Sequence, residues 1–289
     1  MKTTRSEKIF YGVNYILLTI ISLITLYPLI YIVSASISSG DAYAAGKVIL
    51  LPKDITFAAY KEIFKDSSLW VAYGNTIFYT LFGTIVNLVL TILTAYPLSR
   101  GYLPGKKIFT KFLVFTMWFN VGMIPFYLTM KEYGLLDSRW GIIIGFGIQT
   151  FNVILMKNFF ESVPEAIEEA AKIDGANDFY VLWKVVLPVS IPAIATIALY
   201  YAVSRWNGYF WAMLLLQSDD KIPVQVLLKK LIITASTQSE YATINSGQQF
   251  SSETIIYATI IVSIIPIIIV YPYIQKYFVK GIMVGSVKG

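Results

Sequence analysis

The chain has 289 residues, of which 56% are hydrophobic and only 14% are charged. Because a soluble globular domain carries about 25% charged residues, this composition excludes an ordinary soluble protein. The formal net charge is +6, and the basic residues lie in short segments beside apolar runs, which indicates membrane topology rather than nucleic-acid binding. The chain has no Cys and no His, which excludes disulfides, thiol chemistry and histidine-based metal or proton chemistry.

Six uncharged stretches are long enough to cross a bilayer, which requires roughly 20 apolar residues in a helix. The sequence therefore predicts an all-α membrane protein with one membrane domain, residues 1–289, and six transmembrane helices. The predicted spans are about 10–36, 71–98, 109–130, 140–157, 185–210 and 254–276.

The loop between the second and third spans carries Arg100, Lys106, Lys107 and Lys111 and no acidic residue. Basic residues concentrate in short cytoplasmic loops. This loop therefore predicts that both chain termini are cytoplasmic.

Prolines interrupt several of the predicted spans. They are Pro28, Pro97, Pro125, Pro188, Pro192 and Pro266. Proline in a membrane helix frees a carbonyl group, which a neighbouring helix or a water-lined cavity must satisfy. These breaks fit an internal aqueous path, and they also fit ordinary kinked helices.

An amphipathic, acidic segment lies between the fourth and fifth spans, at about residues 163–184. Ser162 with Glu165 predicts a capping box at its start, and Gly175 is placed to end the first helix in a left-handed conformation. A second short helix, at about 177–184, is expected to expose Phe179, Tyr180 and Trp183.

The segment has two possible environments. Amphipathic cytoplasmic helices often lie on the membrane surface, but anionic inner-leaflet lipid repels an acidic helix. A protein partner with a matching groove is therefore favoured.

The spacing from Glu169-Ala170-Ala171 through Gly175 to Leu187-Pro188 resembles the EAA loop of ABC-importer permeases, with Val185 at the usual Ile position. The resemblance implies a type I ABC importer permease fold, in which this coupling segment, residues 163–184, docks into a groove on an ATPase subunit. Ala170 and Ala171 would pack in that groove, and Asp174 would help to cap the turn. The implied ATPase-coupling residues are Glu165, Glu168, Glu169, Ala170, Ala171, Asp174, Gly175, Leu187 and Pro188.

Four further stretches resemble carbohydrate permeases of maltose-type importers. Residues 206–211 are similar to a W-N-x-F-x-W stretch of that family, although Ala212 replaces a frequent Pro, and residues 275–289 resemble the tail of the paired permease. Residues 119–125 and 134–140 resemble the branch that handles oligosaccharides such as aldouronates. The tail residues implied to contact the ATPase are Lys280, Gly281, Gly285 and Lys288.

The resemblance implies a permease subunit of an ATP-driven carbohydrate importer, with an oligosaccharide as the expected cargo, in a bacterial cell membrane. Its expected partners are a second homologous permease, an ATPase dimer, an extracytoplasmic solute-binding protein, the carbohydrate and membrane lipid, with no nucleic acid.

Arg205 lies about 25 Å along the helix from Pro188, at about 1.5 Å per residue, and so toward the outer face. It is expected either to snorkel in an aromatic belt or to line the translocation path. The candidates for the substrate path are Arg205, Trp206, Asn207, Tyr209, Phe210, Trp211 and Asn120.

The chain has no phosphate-binding G-x4-G-K-[ST] loop, so ATP and Mg²⁺ are expected on the partner ATPase. No cofactor, metal site or enzymatic activity is expected on this chain. The spans contain no Asp, Glu or His, which disfavours an ion-driven secondary sugar carrier. The lack of paired carboxylates in the spans disfavours a membrane enzyme, and a non-transporting assembly or sensor protein stays open.

Overall fold

A computed structural model describes residues 4–119, 121–238 and 251–286, with side chains described at 4–119, 121–235 and 251–272. Within these residues the protein is helical and has no β-strand. The helices are α1 (Arg5–Ser36), α2 (Gly40–Ala44), α3 (Ala58–Lys65), α4 (Ser67–Ser99), α5 (Lys106–Trp118), α6 (Met123–Glu132), α7 (Arg139–Ile144), α8 (Thr150–Glu161), α9 (Glu165–Ile173), α10 (Asp178–Val181), a π-helical turn (Leu182–Val186), α11 (Leu187–Val189), α12 (Ile191–Trp206), α13 (Phe210–Leu215), α14 (Val224–Gln238) and α15 (Ser252–Ser286).

The chain divides into two compact units, one formed by Met1–Leu69 with Leu228–Ile265 and the other by Trp70–Leu227 with Pro266–Gly289. The predicted coupling residues, and the predicted path residues that the structure describes, belong to the second unit. The predicted single membrane domain stays a prediction.

In the first unit, α1 begins at a capping box formed by Thr4 and Glu7. The most apolar part of α1 has no buried residue among the described part of the chain. Ser34, in the last turn of α1, donates a hydrogen bond from its Oγ to the Leu50 carbonyl at 2.7 Å, which fixes the following loop against the end of this helix. The first unit thus leaves a long apolar helix free to face lipid or another subunit.

Three described helices are long and apolar enough to cross a bilayer: Arg5–Ser36, Ser67–Ser99 and Ser252–Pro272. Two further spans qualify only as bent pairs, α5 with α6 at 113° and residues 178–189 with α12 at 83°. The predicted fourth span is divided into α7 and α8. The count of six spans therefore stays a prediction.

Some of the prolines lie at these breaks, and others lie inside continuous helices. Pro28, Pro97 and Pro266 lie inside continuous helices, contrary to the interruptions expected from the sequence. Pro188 lies near the end of the continuous helical run of residues 178–189, directly after the π-helical turn. Pro125 and Pro192 lie in the first turns of α6 and α12, where a backbone N–H has no intrahelical acceptor. A helix can begin at these prolines without losing a hydrogen bond.

Two hydrophobic clusters organise the second unit. The first packs the end of α4 against α8, α10, the π-helical turn and α12, around Phe160 and Tyr201. The second packs the middle of α4 against α6, α7 and α13, around Ile143 and Leu215. Because α4 contributes to both clusters, it connects the neighbourhood of the coupling segment with that of the predicted substrate path.

Candidate functional site

The coupling segment begins differently from the prediction. Helix α9 begins at Glu165 with Pro164 in the N-cap position and no side-chain cap. Ser162 Oγ instead donates to the Phe159 carbonyl at 2.7 Å, so the predicted capping box is absent. Proline preceding the helix fixes the entry of the chain, and Glu165 in the first turn complements the helix dipole.

The end of α9 agrees with the sequence. Gly175 has φ +85°, and its N–H donates to the Lys172 carbonyl at 3.0 Å. The N–H of Ala176 reaches back to the Ala171 carbonyl at 3.0 Å, which completes a Schellman motif. The side chain of Asn177 caps α10 by accepting a hydrogen bond from the Tyr180 N–H at 2.8 Å.

The outer face of the coupling segment is both acidic and apolar. Glu165, Glu169, Ala170 and Asp174 are exposed, whereas Ala171 is half-buried and packs on the first hydrophobic cluster. The large apolar side chains that this face exposes are Ile167, Ile173, Phe179, Tyr180 and Trp183. The three aromatic residues are exposed as predicted. Exposed apolar groups beside carboxylates suit a protein groove better than water or anionic lipid.

Glu168 does not share this outward position. Its carboxylate pairs with the guanidinium of Arg100 at 2.5 Å, and the two side chains are only 8% and 7% exposed. Burial raises the pKa of the Glu168 carboxyl, although Arg100 opposes the shift. Sequence reasoning grouped Glu168 with the residues that dock on the ATPase, whereas its side chain is turned inward here. It used Arg100 only as a marker of topology, and that topology stays a prediction.

The end of the coupling segment continues into the fifth span through the π-helical turn. Leu187 is half-buried against the first cluster, and Pro188 is exposed. Lys172 pairs with Asp178 at 3.0 Å, and this hydrogen-bonded ion pair lowers the pKa of the Asp178 carboxyl. Tyr102 also donates to Asp178 at 2.9 Å, so the loop after α4 contacts the segment at a second place.

Arg205 ends α12 and is bound inside the second unit, which contradicts a snorkelling position. Its Nε and NH2 groups donate to Asn87 Oδ1 at 3.0 and 2.7 Å. Its remaining acceptors are the carbonyl oxygens of Ile142, Ile143 and Phe146, at 2.6, 3.0 and 2.8 Å. These carbonyls lie at the break between α7 and α8, where the helix leaves them without intrahelical partners. Arg205 therefore supplies hydrogen-bond donors to carbonyl groups at the break between the two helices.

A cavity of about 260 Å³ lies beside Arg205. It brings together five of the seven predicted path residues: Arg205, Asn207, Tyr209, Phe210 and Trp211. Trp206 is buried elsewhere, with its ring 6.3 Å from that of Tyr73, and Asn120 lies outside the described residues. Sequence reasoning missed Tyr79 and Ser204 in the cavity wall, because neither belongs to a recognisable motif.

Aromatic side chains form much of the wall of this cavity. The ring of Trp211 packs against Phe210, Phe146 and Phe126 at centroid distances of 5.4, 5.7 and 4.7 Å. Tyr209 and Phe210 present exposed rings, and Asn207 adds an exposed amide. Aromatic faces with a few neutral polar groups suit a ligand that has both C–H faces and hydroxyl edges.

The tail residues predicted to contact the ATPase lie at the end of the chain, and their contact stays a prediction. Lys280, Gly281 and Gly285 lie within α15, and Lys288 lies outside the described residues. In the part of the chain that the structure describes, no group of three Asp, Glu, His or Cys side chains could hold a metal ion.

Comparison with known proteins supports the resemblance. Residues 105–284 match the family model described as "Binding-protein-dependent transport system inner membrane component". The polygalacturonan/rhamnogalacturonan transport system permease protein YtcP of Bacillus subtilis (strain 168) is 42% identical over 290 residues, covering 100% of both chains. Protein LplC of the same organism is 37% identical over 289 residues, covering 100% of this chain and 98% of LplC.

A solved structure shares the fold. It is a crystal structure of a bacterial ABC transporter involved in the import of the acidic polysaccharide alginate, and one of its chains is 50% identical with a TM-score of 0.88. The match covers 96% of this chain and 99% of that chain. The protein therefore belongs to the family of binding-protein-dependent transport system inner membrane components, the permease subunits of ABC importers.

Proposed function

We propose that this chain forms half of the translocation pathway of an ATP-driven oligosaccharide importer, with six spans and both termini in the cytoplasm. The observation that carries the proposal is the coupling segment. Its backbone is fixed by the turn at Gly175, and its outer face combines Glu169 with exposed Ile173 and Trp183. An exposed apolar and acidic surface of this kind requires a protein partner.

The partner that fits is an ATPase subunit, because the permease family works with a separate nucleotide-binding protein. ATP and Mg²⁺ would bind there. Closure of an ATPase dimer would move the coupling segment, and movement can shift the transporter only if the contacts differ between its two states. The apolar, exposed face of α1 supports a second permease as a further partner, and cargo would be delivered by a solute-binding protein.

The proposed cargo is an acidic oligosaccharide. Among the described residues, the hydrogen bonds of Arg205 go to neutral oxygens, and no carboxylate lines the cavity beside it. The positive charge is thus spread over dipoles but not cancelled, which favours an anionic ligand. Two relatives carry cargo of this class, since one is named for polygalacturonan and rhamnogalacturonan and the other imports alginate.

Uptake by proteoliposomes tests this proposal. The vesicles would contain this chain with its partner permease, ATPase and binding protein. Trigalacturonate should enter only with ATP inside, should not respond to ionophores, and should enter about tenfold faster than maltotriose. Uptake that needs an ion gradient would contradict an ATP-driven importer, and equal rates for the two sugars would contradict acidic cargo.

Two tyrosine variants test whether the cargo passes through the cavity of this chain. Tyr209→Ala removes an aromatic wall of the cavity and should slow trigalacturonate uptake about tenfold. Tyr133 is 74% exposed and does not line the cavity, so Tyr133→Ala should leave uptake unchanged. Equal rates for the two variants would remove the cavity from the pathway.

A further inference from the structure

The buried ion pair between Arg100 and Glu168 connects the coupling segment with α4. Glu168 is the buried residue of α9, and Arg100 directly follows the last residue of α4. Arg100 is itself fixed, because its NH1 group donates to the Phe160 carbonyl at 3.2 Å and its guanidinium lies 4.8 Å from the ring centre of Tyr96. The ends of α4 and α8 and the middle of α9 therefore meet at one guanidinium.

Stability alone does not explain a pair of charges at this position. Removing two charges from water carries a large desolvation cost, and apolar residues of similar volume often give equal or greater stability. An ion pair differs from an apolar contact in its response to a pull. Apolar surfaces slide with little change in energy, whereas separating buried charges leaves both of them unpaired in a medium of low dielectric constant.

Helix α4 extends from this pair to the cavity. Tyr79 lies about 30 Å from Arg100 along the helix, at about 1.5 Å per residue, and it lines the cavity. Asn87, between them, accepts hydrogen bonds from Arg205. Asn87 also donates to the carbonyls of Phe146 and Gly147, at 2.6 and 2.9 Å. A displacement of α4 therefore acts on the cavity wall at Tyr79 and, through Asn87, on the break between α7 and α8.

We propose that Arg100 and Glu168 are positioning residues that transmit displacement of the coupling segment through α4 to the cavity beside Arg205. The proposal rests on the proposed function, because an ATPase must move the segment. The proposal gives different roles to two acidic residues that are adjacent in sequence. Glu169 faces the ATPase, and Glu168 holds the segment to the membrane helix.

The test measures movement at the cavity directly. The chain has no cysteine, so Tyr209→Cys provides its one thiol, at an exposed position in the cavity wall. The rate of alkylation by a maleimide is compared between the nucleotide-free importer and the importer trapped with ATP and vanadate. The ratio of the two rates reports how strongly the ATPase acts on the cavity. Docking is measured separately, in chains where Glu169→Cys carries a cross-linker.

The decisive variant is Arg100→Met with Glu168→Met, which retains side-chain volume and leaves no charge unpaired. It should cross-link to the ATPase as the unaltered chain does. The ratio of the two alkylation rates should fall about tenfold and approach one, because the cavity no longer responds to the ATPase. Arg100→Lys keeps a positive charge opposite Glu168, and the chain with this substitution should retain part of the difference in alkylation rate between the two nucleotide states. The control is Glu161→Gln, which breaks ion pairs with Lys106 and Lys157 but leaves α9 untouched, and its ratio should stay within about twofold.

The outcomes are distinguishable. An unchanged ratio in the double variant overturns the proposal, because an apolar contact would then serve equally well. Loss of cross-linking in every chain, including the unaltered pair, would overturn the proposed docking instead. If the double variant does not assemble, Glu168→Gln is compared with Glu161→Gln by the same ratio, and equal ratios likewise overturn the proposal.

Discussion

Arg205→Met is expected to destabilise the protein by about 3–5 kcal/mol, because each buried polar group left without a partner costs about 1–3 kcal/mol. The substitution removes the donors that satisfy Asn87 Oδ1 and the carbonyls of Ile142 and Ile143, whereas the Phe146 carbonyl keeps a hydrogen bond from Asn87. The measurement is the midpoint of thermal unfolding of the purified complex in detergent, followed by tryptophan fluorescence.

Two glycines on α4 provide the matched control. A Cβ atom at Gly83 would lie 2.8 Å from Arg205 Nε, whereas a Cβ atom at Gly74 would meet nothing within 4 Å. The guanidinium cannot move aside cheaply, because its hydrogen bonds hold it. Gly83→Ala should therefore lower the unfolding midpoint, and Gly74→Ala should leave it unchanged or raise stability by about 0.5–1 kcal/mol. A raised midpoint for Gly83→Ala would contradict the role assigned to Arg205.

Gly175→Val is expected to reduce ATP-driven uptake at least about tenfold while the amount of protein in the membrane stays normal. Gly175 has φ +85°, a conformation that costs an L-residue about 1–2 kcal/mol, and more for a β-branched side chain. That cost is too small to unfold the protein, but it reorients α10 relative to α9. Misplacing a docked surface by about 1 Å is enough to lose function. Uptake is measured in vesicles matched for permease content.

Asparagine at the same position separates backbone conformation from side-chain bulk. A Cβ atom at Gly175 meets nothing within 4 Å, so steric contact is not the cause of the expected loss. Asn adopts the left-handed conformation far more readily than Val. Gly175→Asn should retain most of the uptake, and equal losses for Asn and Val would mean that the turn is not what matters.

Local chemistry made part of the coupling segment predictable from sequence. The left-handed turn at Gly175 follows from a residue without a Cβ atom at the end of an amphipathic helix, and the exposure of Phe179, Tyr180 and Trp183 follows from their place on a short polar segment. The capping box failed because a serine at a helix end has a competing acceptor. Ser162 binds the Phe159 carbonyl of the preceding helix instead.

The partners of Arg100, Glu168 and Arg205 were not predictable from local sequence. Each contact joins elements far apart in the chain, and nothing in the spacing of charges indicates which acid turns inward. The break within the fourth span, where no proline lies, was missed for a related reason. A bent and a straight apolar helix have the same composition, so hydropathy gives the length of a span and not its shape.

Cross-linking from position 169 tests the central claim most directly, namely that a nucleotide-hydrolysing subunit grips the outer face of the coupling segment. Glu169→Cys places the one thiol of this chain on that face, and Tyr133→Cys places it at an exposed site outside the segment. In native membranes, a photoactivatable cross-linker at position 169 should capture the ATPase subunit, and the same reagent at position 133 should not. Capture of lipid alone from position 169, or no adduct, would contradict the account.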